Sequence, residues 1–172
     1  MGTKTRRLRA FTFIEAIVAT FIMVVAIAAM FATYMTCFKT SQAVTETTSA
    51  AEIAQAELEI AKVYGAANMP LGTYSSSTQT ATWTGAYIPS TGWTSGALAY
   101  YNYSGTQLAS SSSAGAYFSV SLTMVDSSVL AGTGGTYTLQ ASSNRALVVT
   151  VTNIAKNVVD YTMATNLVQG GL

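Results

Sequence analysis

Apolar positions dominate the first quarter of the chain and then give way to mixed patterns. They run from Phe11 to Phe38 with a single charged position, Glu15. The part from Ala16 to Phe38 carries no charge and is long enough, as a helix, to cross a hydrocarbon core of about 30 Å. Because backbone polar groups inside a bilayer must be satisfied within the segment, the pattern predicts a transmembrane helix.

Residues 39–64 continue in a helical pattern without Gly or Pro. Apolar positions recur at helical spacing in two neighbouring stripes, of which one has to be covered by another element. The first stripe is Ala51, Ala54, Leu58 and Ala61, and the second is Ile53, Ala56, Ile60 and Val63. Gly65 is a natural stop, so one helix is predicted from about Phe11 to Tyr64.

The C-terminal third alternates apolar and polar residues with the period of a half-buried strand. Strands are predicted at 117–125, 146–152 and 158–164, with a weaker candidate at Tyr137, Leu139 and Ala141 and a turn at 153–157. Short strands joined by Gly, Ser and Asn turns indicate an antiparallel meander. Laid on the helix, such a sheet gives an α+β fold in which the second half of the helix packs on the sheet.

Residues 65–115 show almost no amphipathic period, but they hold more aromatic residues than a flexible linker does. We expect an ordered excursion with several short strands or turns, and a loop at 110–113. The aromatic stretch 83–103 has two interpretations. Its rings either cover the sheet and a neighbouring subunit, which we favour, or form a face that binds a surface or a carbohydrate.

Charge is scarce and unevenly placed. Four of the eight basic residues lie in the first nine positions, and no charged residue lies between Lys62 and Asp126. Without residues 1–10 the chain keeps four basic and seven acidic side chains, a balance that does not favour nucleic acid as a partner.

Catalytic and metal-binding constellations are not recognisable in the sequence. Histidine is absent, Cys37 is the one cysteine, and Asp126 and Asp160 are isolated. The glutamates of residues 46–59 fall on one helix without a facing partner. We therefore expect a protein that is not an enzyme and has no cofactor or metal.

The start of the apolar run carries a compact motif. Residues 10–23 read Ala-Phe-Thr-Phe-Ile-Glu-Ala-Ile-Val-Ala-Thr-Phe-Ile-Met, behind a basic leader. This resembles the processing site of type IV prepilins and of type II secretion pseudopilins. The resemblance implies that a prepilin peptidase cuts between Ala10 and Phe11 and methylates the new amine of Phe11. An ordinary secretory signal is the alternative, but its apolar core is only about 7–15 residues long.

A charge at Glu15 is costly in a hydrocarbon run unless it is paired. In pilin-like proteins the corresponding acid is thought to meet the terminal amine of a neighbouring subunit, which would make Glu15 the residue that sets the assembly register. The competing interpretation places Glu15 at the headgroup level, near the helix N-terminus, where an anion is tolerated.

Two departures refine the resemblance. Ala10 stands where glycine is usual. Many major pilins also have a proline around the position of Ala32, and this helix has none. A helix without such a break is more typical of a minor pilin or a minor pseudopilin. The implied organisation is a cleaved leader at 1–10, a transmembrane and filament-core half at 11–38, an amphipathic half at 39–64 and a globular head at 65–172.

The resemblance also implies partners and a location. The partners are prepilin peptidase, other pilins or pseudopilins, an inner-membrane assembly platform and membrane lipid. Basic residues before the apolar run place the N-terminus in the cytoplasm. The protein would sit in the inner membrane, single-pass, before it enters a periplasmic or cell-surface filament. The alternative function is a membrane-tethered or pilus-tip adhesin that recognises a surface or glycan.

Overall fold

A computed structural model describes residues 12–126, 129–131, 137–139 and 144–168 of the chain. The chain divides into two compact units, Met1–Ala43 and Val44–Leu172. The first contains only helix among its described residues past Thr12, and the second contains the end of that helix and all of the strands. The α+β class predicted from the sequence is confirmed.

The helix α1 spans Phe13–Tyr64, as the uninterrupted pattern predicts. Phe11, the predicted first residue, lies outside the described residues. The helix ends at Gly65, whose φ of 74° is a conformation that glycine adopts without strain. The Gly65 N–H donates to the carbonyls of Ala61 and Lys62 at 3.1 and 3.2 Å, and a short 3₁₀ helix, Ala66–Asn68, follows.

Ten strands follow the helix in the part of the chain that the structure describes. In chain order, β1 to β10 are Thr73–Ser75, Thr80–Ile88, Gly92–Ser95, Ala99–Tyr101, Gln107–Leu108, Phe118–Asp126, Val129–Ala131, Tyr137–Leu139, Asn144–Asn153 and Val158–Val168. Eight of them form one antiparallel sheet, and β7 pairs with β8 in a separate hairpin. The weaker candidate at 137–141 is therefore a strand at Tyr137–Leu139, and Ala141 lies outside the described residues.

The centre of the sheet is β6, paired along its whole length with β9, which in turn pairs with β10. On its other edge β6 pairs first with β4 and then with β2. β5 extends β4, while β1 and β3 both extend β2. The strands predicted at 117–125, 146–152 and 158–164 are β6, β9 and β10. The turn predicted at 153–157 joins the last two and occupies 154–157, because Asn153 is the last residue of β9.

One face of the sheet forms the core, and strand alternation determines its members. The buried positions of β6 are Phe118, Val120, Leu122, Met124 and Asp126, and those of β9 include Leu147, Val149 and Val151. The last turns of α1 cover this face with Ala50, Ile53, Ala54, Glu57, Leu58 and Ala61. Burial of these apolar surfaces is the main source of the fold's stability.

The buried face of α1 lies between the two predicted stripes. Ala54, Leu58 and Ala61 are buried as expected, and Ile53 joins them from the second stripe. Val63 is 86% exposed and Ala56 is exposed, so these two members of the second stripe do not cover the sheet. Their place is taken by Ala50 and by Glu57, which is a charged residue type in an apolar position.

Residues 65–115 are ordered, as expected, and contain β1 to β5. Trp83 and Tyr101 are buried in the core, which agrees with the interpretation that these rings cover the sheet. Tyr87 and Trp93 are half-buried and pack with Tyr64 at ring-centroid distances of 5.2 to 5.8 Å. The serine run at 110–113 is a turn.

Candidate functional site: the apolar helix segment and its acidic residue

The first unit presents an apolar surface. Every side chain from Phe13 to Phe38 is exposed, including large ones such as Phe13 at 83% and Met30 at 72%. The helix has a mean hydropathy of 2.5 in its most apolar window, so it is long and apolar enough to cross a membrane by length and composition. An apolar surface of this size on a single chain requires lipid or other helices to cover it.

Threonine hydroxyls in this segment are satisfied within the helix. Those of Thr20, Thr33 and Thr36 donate to the carbonyl four residues earlier, at 2.6, 3.0 and 3.0 Å. The hydroxyls therefore need no water, which is the condition for placing threonine in hydrocarbon. Threonine within an apolar helix is the sequence signal for such hydroxyl-to-carbonyl hydrogen bonds, and the apolar pattern alone does not predict them.

Glu15 lies in the first turn of α1 and caps the helix start. Its Oε2 accepts hydrogen bonds from the backbone N–H of Thr12 at 3.2 Å and from the Thr12 hydroxyl at 3.1 Å. A Thr-x-x-Glu spacing at a helix start is the capping-box pattern, in which the acid satisfies a backbone N–H that has no partner in the helix. The carboxylate is also placed at the positive end of the helix dipole.

The other two predicted site residues, Ala10 and Phe11, lie outside the described residues. Within the described chain, the partner of Glu15 is Thr12.

In the second unit, polar contacts connect the part of α1 after Val44 to the sheet. Glu46 accepts a hydrogen bond from the Tyr117 phenol at 2.6 Å and forms a salt bridge with Lys156, which lies in the turn between β9 and β10. These two hydrogen bonds hold the pKa of Glu46 below its usual value. The expectation that the helix glutamates have no facing partner is wrong for Glu46, because the folded sheet brings Tyr117 and Lys156 to its carboxylate.

Glu57 is the second glutamate with a facing partner. It is fully buried, and its Oε1 accepts a hydrogen bond from the phenol of Tyr101 on β4. Desolvation raises the pKa of Glu57, and the Tyr101 hydrogen bond opposes this rise in part. Burial and the nearby carboxyl together raise the pKa of Tyr101.

Asp126 is not isolated either. Arg145 Nε lies 3.1 Å from Asp126 Oδ2, and both residues are buried. The Arg145 Nη1 also donates to the carbonyls of Ala66 and Met69 in the segment after the helix. Asp126 and Arg145 occupy paired positions on β6 and β9, so the sheet register brings together two opposite charges that are distant in the sequence.

Among the described residues no three His, Cys, Asp or Glu side chains lie close enough together to hold a metal ion. The buried charges bind neighbouring elements to each other. No family model, curated protein or solved structure matches the chain.

Proposed function

We propose that this chain is a type IV pilin-like subunit, a minor pilin or minor pseudopilin that is processed at Ala10–Phe11 and assembled into a filament. The observation that carries the proposal is that the two parts of α1 have different surroundings. Its first part, Phe13 to Phe38, exposes apolar side chains, while its last turns pack on an antiparallel sheet. One helix thus supplies a membrane or filament segment and also the cover of a folded head.

The single-pass arrangement follows from the same helix. Its apolar stretch is long enough for one crossing, and Lys4, Arg6, Arg7 and Arg9 precede it. Basic residues at one end keep that end in the cytoplasm, so the sheet unit would face the periplasm. Extraction of the helix from lipid into a bundle of sister helices would keep its apolar surface covered.

The assembly role assigned to Glu15 is compatible with its capping contact. A carboxylate that accepts two hydrogen bonds from Thr12 still has an Oε1 atom with which to meet a cation. Cleavage before Phe11 would create such a cation at the terminus of each subunit. The pair would form only when neighbouring helices are in the correct register, because an unpaired charge in hydrocarbon costs several kcal/mol.

The experiment is co-expression of the full chain with a prepilin peptidase, followed by mass spectrometry of the membrane-extracted protein. We expect a mature chain that begins with N-methylated Phe11, and an uncleaved chain when the peptidase is catalytically inactive. A mature chain that begins beyond Phe38, or an intact leader in the presence of active peptidase, would contradict the proposal.

A further inference from the structure

The second apolar stripe of α1 borders the core and for the most part faces outwards. Ile53 is buried, but the other three members are not: Ala56 is exposed, Ile60 is half-buried and Val63 is 86% exposed. These positions recur every three or four residues, so their side chains lie side by side along one flank of the helix. An apolar patch that is left open in this way marks a surface that another molecule covers.

A groove runs along this flank of the helix and consists of two adjoining clefts, with volumes of about 310 and 450 Å³. The first lies between α1 and the turn that joins β4 to β5, and the second lies between the last turns of α1 and Tyr87 of β2. Ala56 lines both clefts, so they form one groove, which we call the flank groove. Its helix side is Ser49, Ala56, Ile60 and Val63, and its opposite wall is Tyr87 and Tyr103. The helix rises about 21 Å over this length.

Direct contacts hold both walls of the flank groove in place. A Cβ atom added at Gly105 would lie 3.8 Å from Ile53 Cγ1, so the turn between β4 and β5 lies in van der Waals contact with α1. The phenol oxygens of Tyr64 and Tyr87 lie 2.6 Å apart in a hydrogen bond. The side-chain amide of Gln107 on β5 donates to the Tyr87 carbonyl at 3.0 Å and so connects the two walls. The groove is therefore formed before any partner arrives.

Two acidic residues lie on the helix side of the groove. Glu52 lines the first cleft and Glu59 lines the second, and both are exposed. Neither carboxylate is in a salt bridge with a residue that the structure describes, and none of the lining residues is basic. Glu59 accepts a hydrogen bond from the neutral side-chain amide of Gln55 at 3.2 Å. The charge of the groove complements a cationic partner and disfavours an anionic one.

The spacing of the two acids distinguishes a helical partner from an extended one. Glu52 and Glu59 are seven residues apart, so they lie about 10.5 Å apart along α1 and on the same side of it. Basic residues seven positions apart on a partner helix have the same separation and also share a side. In a strand about three residues span this distance, and side chains three positions apart point to opposite faces. A helix therefore presents two cations and an apolar stripe to the groove together, which a strand does not.

We propose that the flank groove binds a basic amphipathic helix of a partner protein. Apolar residues of that helix, at spacings of three and four, pack against Ala56, Ile60 and Val63. Two lysine or arginine residues of the same helix, seven positions apart, face Glu52 and Glu59. The groove lies wholly in the second unit, so this binding does not depend on the assembly function proposed above.

The test measures peptide binding to the full chain in nanodiscs of phosphatidylcholine, a lipid without net charge. The probe is a fluorescein-labelled helical peptide of about 18 residues, with leucines at spacings of three and four and two lysines seven positions apart beside them. A second peptide has glutamates in place of these lysines, and empty nanodiscs measure binding to lipid alone. We expect a saturable rise in fluorescence anisotropy with a Kd of about 10–100 µM for the lysine peptide. The glutamate peptide should bind at least about tenfold more weakly.

Variants of exposed residues locate the binding. Val63→Ser removes an apolar contact, and we expect it to weaken binding of the lysine peptide about fivefold or more. Val159→Ser makes the same change outside the groove, at a valine of β10 that is 54% exposed, and should leave binding unchanged. The double variant Glu52→Lys with Glu59→Lys reverses the charge, so it should bind the glutamate peptide more tightly than the lysine peptide. Near-UV circular dichroism checks that each variant folds as the parent does.

Four outcomes would overturn the proposal. One is the lack of saturable binding of the lysine peptide above that of empty nanodiscs. Another is an equal affinity of the parent for both peptides, or a charge-reversed variant that keeps the parent's preference, since either would mean that the two acids do not recognise the partner. The third is equal weakening by Val63→Ser and Val159→Ser, which would put the binding elsewhere. The last is a full chain that light scattering in detergent shows to be dimeric and that Val63→Ser makes monomeric, since the occupant would then be a second copy of the chain.

Discussion

Tyr101 and Glu57, which are 44 positions apart in the sequence, meet in the core of the second unit, where the Tyr101 phenol donates a hydrogen bond to Glu57 Oε1. Both side chains are buried, and the Glu57 Oε2 has no hydrogen-bond partner among the described residues. A carboxyl group in this setting is favoured in its neutral form. The burial of Glu57 therefore makes the stability of the sheet unit depend on pH.

We predict that Glu57→Gln removes that dependence. The pKa of Glu57 is raised in the folded state, so the unfolded chain loses its proton first as pH rises above about 4.5. The contribution of protonated Glu57 to the free energy of unfolding is full below that pH. It is lost as pH rises through the folded-state pKa of Glu57. Glutamine keeps an acceptor for Tyr101 and does not titrate. The free energy of unfolding of the Glu57→Gln variant should therefore not fall as pH rises from about 4.5 towards the folded-state pKa of Glu57 in the parent.

The measurement is urea unfolding of the full chain in detergent, followed by the fluorescence of Trp83 and Trp93 at several pH values. Glu52→Gln is the matched control, because Glu52 is an exposed residue of the same helix. It should follow the pH profile of the parent. A Glu57→Gln profile that is parallel to the parent profile would show that Glu57 does not titrate with a shifted pKa.

The sequence predicted those parts of the fold in which one residue type repeats with a clear period. β6 alternates apolar residues with Ser and Thr from Phe118 to Met124, and β9 does so from Val149 to Thr152, so the apolar members of these buried faces were predictable. β1 to β5 consist of Ser, Thr, Gly, Ala and aromatic residues, which differ too little in polarity to reveal which face is buried. Their bounds depend on pairing partners far along the chain.

The helix face was predicted only approximately for a related reason. Ala51, Ala54 and Ala56 are equally apolar, yet only Ala54 is fully buried, because the sheet selects the face. Glu57 and Arg145 fall in apolar surroundings and could not be assigned to the core without their partners. The motif identified Glu15 as an assembly residue. The contact of Thr12 with Glu15 at the helix start could not be predicted, because it depends on where the helix begins.

The buried Arg145–Asp126 pair provides the second prediction. Arg145→Met should lower the free energy of unfolding by about 3–5 kcal/mol, since it leaves a buried carboxylate and removes the donor to the carbonyls of Ala66 and Met69. Adding Asp126→Leu should recover part of this loss, because the buried carboxylate that has lost Arg145 is then gone. Lys156→Met, which breaks the more exposed salt bridge to Glu46, should destabilise the fold far less, because solvent screens a pair whose cation is exposed.

Urea midpoints at constant m-value measure all three variants. The ordering is what matters: the single Arg145 variant is least stable, the double variant is intermediate, and the Lys156 variant is close to the parent. A double variant no more stable than Arg145→Met would mean that packing and the two carbonyl contacts, rather than the lost ion pair with Asp126, account for the loss.

The third prediction contrasts two glycines. Gly65→Ala meets no atom within 4 Å, but the φ of 74° and ψ of 154° lie in a region that is essentially restricted to glycine, so the cost should be about 1–3 kcal/mol from backbone strain alone. At Gly85 a methyl group would collide with the Thr94 carbonyl and the Trp83 ring, so β3 or Trp83 must shift. Gly85→Ala should destabilise more than Gly65→Ala and change the folded-state tryptophan emission. Equal losses with unchanged emission would contradict the close packing at Gly85.

The last prediction concerns Glu15 and separates its two roles. Glu15→Val makes the helix more apolar, so membrane insertion should be unharmed, and cleavage should continue because the bond lies on the other side of Phe11. Incorporation into a filament should be lost, since the charged terminus of a neighbouring helix would enter hydrocarbon unpaired. Glu15→Gln, which keeps a hydrogen-bond acceptor without the charge, should fall between Glu15→Val and the parent.

Thr12→Ala is the control that the capping geometry supplies. It removes the hydroxyl that donates to Glu15 Oε2 but keeps the acid and the Thr12 backbone N–H contact. If the charge of Glu15 sets the register, Thr12→Ala should assemble nearly as the parent does, at a cost of about 1 kcal/mol or less in helix stability. The measurement is the amount of processed chain that co-purifies with its filament partners. If Thr12→Ala fails as badly as Glu15→Val, capping rather than charge explains the defect. If Glu15→Val assembles as the parent does, Glu15 has no role in assembly and serves only to cap the helix near the membrane surface.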